Sequence, residues 1–303
     1  ITADRKPTPK LAQVKAVQAW IKFELAGVDA KANTATINIK NTYDFINTAD
    51  HTLRYEIVKN GHIVAKGKQA LPVIEVDGEA TVTLPLEGVV LKDAAKAGEE
   101  IMINLFVEQD KATVWSEAGH EVASEQFELN ARKGILPVIK VDKKAEKLAV
   151  EDTEKALKVG NKAIAAVFCK ETGVMTSLKL NGMEIINGKD GFVYDNYRFI
   201  ENDRSCKPGN GLDSIGTCEI VPSKGGSVIV KTTRGGKLAS QVITYTFLPN
   251  GTVDMDVTLT PQAKELRRAG LVANINPGLR NVNYWAYGPD ENYNDRKEST
   301  MVG

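Results

Sequence analysis

The sequence predicts an all-β protein, and three observations predict it. Apolar and polar residues alternate over many short segments, a pattern that buries one side of a strand and leaves the other in water. Asn-Gly and Gly-Gly pairs, within a total of 25 glycines, mark tight turns between these segments. The sequence shows no internal repeat and no alternation of strands with long helices, so a parallel α/β fold is not expected.

The first half of the chain predicts an immunoglobulin-like β-sandwich. Residues 35–39, 53–57 and 101–107 alternate with a period of two. Asn60-Gly61 supplies the two positive-φ positions of a hairpin turn. About seven short strands in roughly 110 residues are typical of this fold.

The segments before and after this sandwich are less regular. One short helix is expected within Pro9–Trp20. Helix propensity alone would predict a second helix over Lys143–Lys158. The apolar residues of that stretch are spaced by two, as in Leu148 with Val150, so a linker leading into edge strands is favoured.

The clearest hairpin of the chain lies in the second half. Gln241–Phe247 and Thr252–Thr260 flank a turn at Pro249-Asn250-Gly251. Apolar residues in the second strand alternate with Thr and Asp, so a one-residue slip would bury two aspartates. Long amphipathic strands of this kind are typical of a large antiparallel sandwich.

Composition excludes several classes of partner. Lys plus Arg and Asp plus Glu both total 39, so the formal net charge is zero. This balance offers no basic surface for nucleic acid or an anionic membrane. The longest apolar runs are of strand length, well below the ~20 residues that span a bilayer. No nucleic-acid or membrane partner is therefore expected.

Four motifs resemble those of family 2 β-galactosidases, in the order in which that family has them. Residues 4–9 resemble the Asp-Arg-x-Pro-x-Pro exit from its catalytic barrel. Residues 112–120 are similar to the Trp-Ser-Glu-Ala-Gly-His signature of its fourth domain. Residues 173–178 resemble the Gly-x-x-x-x-Leu turn that opens its fifth domain, and 287–296 resemble Gly-Pro-x-Glu-Asn-Tyr-x-Asp-Arg.

The resemblance implies an immunoglobulin-like β-sandwich followed by a galactose-mutarotase-like supersandwich, incomplete at its C-terminus. We expect an exit segment at 1–20, the sandwich at 21–131, a linker at 132–147 and the supersandwich at 148–303. Residues 197–204 depart from the family's Arg-Ala-Pro-x-Asp-Asn-Asp, so no role is assigned to that loop.

The resemblance also implies a function. The parent would be a bacterial glycoside hydrolase that cleaves terminal β-D-galactosides such as lactose with retention. Its two glutamates and its Mg²⁺ ligands, with Na⁺ as a second candidate cation, would lie in a barrel before Ile1. This chain alone would then hold no catalytic residue, metal ligand or cofactor. It would act as a scaffold, a domain interface with its own barrel and a rim of the active site, within a homo-oligomer.

Both ends of the chain favour the same interpretation. Ile1 is not an initiator Met, and Gly303 follows a charged motif with no closing strand, so we expect a piece of a longer protein. Any targeting segment would lie upstream, and the cytoplasm and periplasm of a bacterium both remain open. A free-standing carbohydrate-binding or adhesion module is the alternative function.

Residues 284–296 are the candidate contact with sugar or barrel. The residues concerned are Tyr284, Trp285, Tyr287, Glu291, Tyr293 and Asp295. Aromatic faces stack on sugars, and retaining glycosidases need two carboxylates ~5 Å apart. The favoured alternative is that Glu291 and Asp295 pair with Arg296 and Lys297 to pin an irregular loop, because the sequence reveals no cleft around them.

Other reactive side chains are given structural roles. In the Trp-Ser-Glu-Ala-Gly-His motif, Trp115 is expected to fill the core, and the Ser, Glu and His to tie a loop by hydrogen bonds. A nucleophile would need an elbow that is absent. His51 and His62 are expected at the surface, without a third metal ligand.

The three cysteines are too few for a disulfide framework. Cys206 and Cys218, twelve residues apart with no CxxC motif, make a poor metal site. A Cys206–Cys218 disulfide and free thiols both remain open, with free thiols favoured.

Overall fold

The computed structural model describes residues 2–130, 144–187, 191–197, 212–264, 266 and 268–303. Strands dominate these residues, with two short helices, and the predicted all-β class is confirmed. The chain divides into two compact units. The first comprises Ile1–Pro137 and Asn283–Gly303, and the second Val138–Val282.

The first unit contains a seven-stranded sandwich. Its elements are α1 (Pro9–Val17), β1 (Ile21–Asp29), β2 (Thr34–Asn41), β3 (His51–Lys59), β4 (His62–Ala70), β5 (Glu79–Pro85), α2 (Leu91–Ala97), β6 (Ile101–Gln109) and β7 (Glu121–Glu128). One sheet has the order β1-β2-β5 and the other β4-β3-β6-β7, with antiparallel neighbours throughout. The immunoglobulin-like pattern and the short opening helix were both predicted.

Aliphatic side chains from both sheets fill the space between them. Ile37 of β2, Leu53 of β3, Leu84 of β5 and Ile103 of β6 are fully buried in one cluster. These positions belong to the alternating segments, so the period of two does produce the core. Each such side chain contributes about 1.5–3 kcal/mol to folding through burial.

The outer face of the four-stranded sheet carries a charged network centred on Glu108. Arg54 Nε donates to Glu108 Oε1 at 2.6 Å, and Lys68 Nζ donates to Glu108 Oε2 at 2.9 Å. The guanidinium of Arg54 also lies 3.8 Å from the centre of the Phe106 ring. Hydrogen bonds from Lys68 and then Arg54 hold the pKa of Glu108 below its ordinary value.

The second unit is an antiparallel sandwich. Its strands are β8 (Ala149–Asp152), β9 (Ala156–Gly160), β10 (Ile164–Cys169), β11 (Val174–Leu180), β12 (Met183–Glu184), β13 (Phe192–Asp195), β14 (Leu212–Val221), β15 (Val228–Gly236), β16 (Ala239–Phe247), β17 (Val253–Pro261) and β18 (Gly270–Ala273). The sheet orders are β12-β11-β10-β9-β8, β14-β15-β16-β17 and β13-β18. Phe168 meets Tyr245 and Phe247 edge-on at the centre of its core.

Two local predictions for the second unit are confirmed. The Lys- and Glu-rich stretch forms strands β8 and β9 instead of a helix. The best hairpin pairs in the expected register, with Gln241 opposite Leu259 and Phe247 opposite Val253. Most of the expected linker at 132–147 lies outside the described residues, as does Cys206.

In the described part of the chain, no helix is long and apolar enough to cross a bilayer.

Replacing Phe168 by alanine should lower the free energy of unfolding of the second unit by about 3–5 kcal/mol. The ring is fully buried, and its removal leaves a cavity beside Tyr245 and Phe247. Urea unfolding, with hydrogen exchange to locate the loss, measures the effect. Phe45→Ala is the control, since that ring is exposed and should change stability by less than about 0.5 kcal/mol. Equal effects of the two changes would contradict this assignment of the core.

The Glu108 network should make the first unit less stable in acid. The pKa of Glu108 is depressed in the folded state relative to its ordinary 4.5. Its stabilising contribution is therefore complete above that value and is lost as the pH falls through the folded-state pKa.

Glu108→Gln tests this pH dependence by urea unfolding at neutral pH and in acid. The variant should lose about 1 kcal/mol at neutral pH, and the difference from the parent should shrink in acid. Glu24→Gln, at an exposed position of β1, is the matched control. A pH-independent difference for Glu108→Gln would refute the prediction.

Candidate functional site

The candidate residues 284–296 lie on a segment that the structure groups with the first unit. We call Asn283–Gly303 the returning segment, because the chain passes through the second unit before reaching it. Within it, β19 (Tyr287–Gly288) and β20 (Met301–Val302) form a short antiparallel pair. This pairing closes residues 287–302 into a loop that carries Tyr287, Glu291, Tyr293 and Asp295, and Tyr284 and Trp285 lie just before it.

The side chain of Gln126 on β7 holds the end of this loop. The Val302 N–H donates to Gln126 Oε1 at 2.8 Å, and Gln126 Nε2 donates to the Val302 carbonyl at 3.0 Å. The amide thus satisfies both backbone groups of Val302, as a neighbouring strand would. A second attachment comes from Gln13 of α1, whose Oε1 accepts the N–H of Ser299 at 3.3 Å and whose Nε2 donates to Glu298.

Two apolar residues on the outer face of the sheet are buried, on the face where the segment docks. Val58 and Met102 are cross-strand partners on β3 and β6. They are 5% and 6% exposed, although alternation turns them away from the core that holds Ile57 and Ile103. Met102 shares its face with Gln126, which binds Val302. Two apolar side chains on this outer face are thus buried, on the same face as the glutamine that binds the returning segment.

A cavity of about 600 Å³ lies beside this docking place. The Trp285 ring packs against the β3–β4 turn so closely that a Cβ at Gly61 would come within 2.4 Å of it. Gly61 also has φ +83°, so the turn needs glycine for two reasons. The cavity is lined by Asn60, Gly61, His62, Gly98, Asn283, Tyr284, Trp285 and Gly303.

The structure brings together some of the six predicted residues and separates others. Tyr284 and Trp285 line the cavity, whereas Tyr287 and Asp295 are exposed outside its lining. Glu291 accepts a hydrogen bond from Arg296 Nη2 at 2.5 Å. The Arg296 guanidinium lies 5.2 Å from the Tyr293 ring centre. Glu291 thus forms with Arg296 one of the pairs of the favoured alternative, in which Glu291 and Asp295 were expected to pair with Arg296 and Lys297.

Sequence reasoning missed the cavity because its two walls are distant in the chain. The turn at Asn60-Gly61 was predicted, and so was an aromatic cluster at 284–287. Nothing in a single sequence signals that one packs on the other. A rigid glycine turn beside an aromatic cluster is a pairing that only the folded sandwich reveals.

Two expectations about the first sandwich are wrong. Trp115 is 69% exposed, because aliphatic side chains already fill the core and the β6–β7 loop carries the indole beyond the sheet. Ser116 does tie that loop, since its Oγ accepts from Gln109 Nε2 at 2.6 Å. His51 is 7% exposed instead of lying at the surface, and burial lowers its pKa. His62 is exposed, as expected.

The cysteines and metal candidates give no site in the described residues. Cys169 and Cys218 are free thiols, and burial raises the pKa of Cys218 to about 11. Cys218 is thus a free thiol, as favoured, whereas Cys206 lies outside the described residues. Among residues that the structure describes, no group of three His, Cys, Asp or Glu side chains is placed to hold a metal ion.

Two families match successive parts of the chain. Residues 37–130 match "Beta-galactosidase, domain 4", and residues 160–303 match "Beta galactosidase small chain". The chain belongs to the β-galactosidase family. The small-chain match includes the returning segment, which the structure groups with the domain 4 sandwich.

Curated β-galactosidases match along nearly the whole chain. The enzyme of Priestia megaterium is 27% identical over 100% of this chain and 29% of its own length. The enzyme of Pseudoalteromonas haloplanktis is 26% identical over 99% of this chain and 31% of its own length. The enzyme of Photobacterium profundum is 27% identical over 100% of this chain and 31% of its own length. The chain thus spans less than a third of the length of these β-galactosidases.

Replacing Gln126 by alanine should loosen the returning segment. Two hydrogen bonds to Val302 would be lost, at a cost of about 1 kcal/mol each. Amide hydrogen exchange across residues 298–303 should therefore accelerate roughly tenfold or more. Gln69→Ala, at an exposed position of β4, should leave it unchanged. Unaltered exchange at Val302 in the Gln126 variant would show that the segment is held by other contacts.

Proposed function

We propose that this chain is a non-catalytic part of a β-galactosidase that hydrolyses terminal β-D-galactosides such as lactose with retention. The alignment carries the proposal: the whole chain matches a β-galactosidase from Priestia megaterium but only 29% of that enzyme's length. The catalytic barrel, with its two glutamates and Mg²⁺, would belong to the rest of such a protein.

The carboxylate in the aromatic cluster is held in an ion pair, which supports a structural role for it. Glu291 in the aromatic cluster is engaged by Arg296.

The proposed role is that of a scaffold, a domain interface and a rim of the active site. The returning segment supports this role, because a pinned turn at Glu291 and Arg296 holds exposed aromatic side chains at its surface. Tyrosine and tryptophan at such positions provide rigid contact area for a partner domain or a substrate. The partners would be the chain's own barrel and further subunits of a homo-oligomer.

A hydrolysis assay tests the non-catalytic part of the proposal. The purified 303-residue chain should release no chromophore from a nitrophenyl β-galactoside above the buffer rate. A full-length β-galactosidase such as that of Pseudoalteromonas haloplanktis serves as the positive control, with and without Mg²⁺. Saturable hydrolysis by the chain alone would overturn the proposal.

A carbohydrate-binding module is the second candidate function, and the cavity beside Trp285 favours it. The cavity combines two aromatic side chains with the polar Asn60 and His62. Titration calorimetry with galactose and lactose separates the two functions. Binding of either sugar with a millimolar or lower Kd, lost in Trp285→Ala, would favour the carbohydrate-binding module. If neither sugar binds, the scaffold role is the function supported.

A further inference from the structure

The loop between β6 and β7 is held rigidly at its base. Gln109 Nε2 donates to Ser116 Oγ at 2.6 Å, to the Lys111 carbonyl at 3.0 Å and to the Glu117 carbonyl at 3.2 Å. The Gly119 N–H donates to the Gln109 carbonyl at 2.8 Å. One buried glutamine thus organises the loop around its own side chain.

This ordered loop displays Trp115 to solvent. The indole is 69% exposed, and its only described ring contact is an edge-on approach to His120, 6.1 Å between ring centres. An exposed indole contributes little to folding, since it buries little apolar area. A large aromatic side chain on a pre-organised loop is instead typical of a binding surface.

A second indole lies on the same groove. Trp20 is 48% exposed and stacks on Tyr43, with ring centres 5.9 Å apart and planes 23° from parallel. Thr42 Oγ1 donates to the Trp20 carbonyl at 2.6 Å, and the Tyr43 N–H donates to Asn41 Oδ1 at 2.9 Å. Asn41 is fully buried, so this pair of rings is also fixed in orientation.

The groove has a volume of about 680 Å³, within the range of small-molecule sites. The lining residues that matter most are Trp20, Tyr43, Trp115, Gln18, His120 and Glu121. It lies wholly within the first unit. None of its lining belongs to the returning segment, so it is separate from the cavity beside Trp285.

Its polar groups keep hydrogen-bonding capacity. The Glu121 carboxylate oxygens lie 3.7 Å from Lys15 Nζ and 3.9 Å from Arg54 Nη2. Both distances are longer than a hydrogen bond, so the oxygens can accept hydrogen bonds from a ligand. Burial raises the pKa of Tyr43, which keeps its hydroxyl protonated as a donor. Gln18 adds an amide and His120 an imidazole. Flat aromatic faces beside mixed donors and acceptors match a sugar ring, which has apolar C–H faces and a hydroxyl edge.

We propose that this groove binds pyranose rings of a β-linked oligosaccharide, with Trp20 and Trp115 stacking on sugar faces. The inference is independent of the proposed function, since it concerns another surface and requires no barrel. An apolar protein segment fits the groove less well, because it would remove Lys15 and Glu121 from water without offering them hydrogen bonds. A β-linked oligosaccharide is extended and ribbon-like, so successive sugar rings could stack on the two indoles that line the open groove.

The test is titration calorimetry of the 303-residue chain with lactose, a β-1,4-linked galactotriose and cellotriose, with maltotriose as the α-linked comparison. We expect a Kd on the order of 1 mM for the β-linked sugars. It should weaken at least about tenfold in Trp115→Ala and in Trp20→Ala, since each removes a stacking face. Circular dichroism checks that the variants fold.

Two matched variants keep the outcome specific. Val114→Ala changes an exposed apolar side chain next to Trp115 that does not line the groove, and it should bind like the parent. Trp285→Ala should also bind like the parent; loss in that variant alone would assign binding to the other cavity and overturn the proposal. No binding at tens of millimolar sugar would overturn it too, and would favour a protein surface as the occupant of the groove.

Discussion

The paired hydrogen bonds between the Gln126 amide and the backbone of Val302 are the constraint on which the candidate site depends. They fix the end of the returning segment on the outer face of the four-stranded sheet. Val58 and Met102 on the same face are buried as well. The docked position of the segment sets Trp285 against the glycine turn at Gly61 and so creates the adjacent cavity.

Much of the fold could be predicted because strands and turns are determined by residues that are close together in the sequence. A period of two assigns each residue to one side of a strand, and Asn60-Gly61 and Asn250-Gly251 end strands for backbone reasons. Spacing outweighed helix propensity at β9, because Leu157 and Val159 are buried in the sheet, whereas β8 pairs with it as an exposed edge strand. The same rule failed at Val58 and Met102, which are buried although they lie outside the core cluster between the sheets.

The sites were less predictable because they depend on contacts between distant segments. Trp115 was expected inside from its residue type, yet the loop that carries it is organised by Gln109 and points the indole outward. The candidate cluster at 284–296 was found from its aromatic and acidic composition. Its division into a cavity wall and an Arg296-pinned turn required the folded chain. Residue chemistry thus marked the right segments but not their geometry.

The path of the chain makes the returning segment an intramolecular ligand of the domain 4 sandwich. Its connection through Val138–Val282 keeps it in the same molecule as the docking face, so the contact forms in an intramolecular step that does not depend on protein concentration. A backbone break within the second unit, followed by separation of the pieces, would turn the same contact into a bimolecular one whose occupancy falls on dilution.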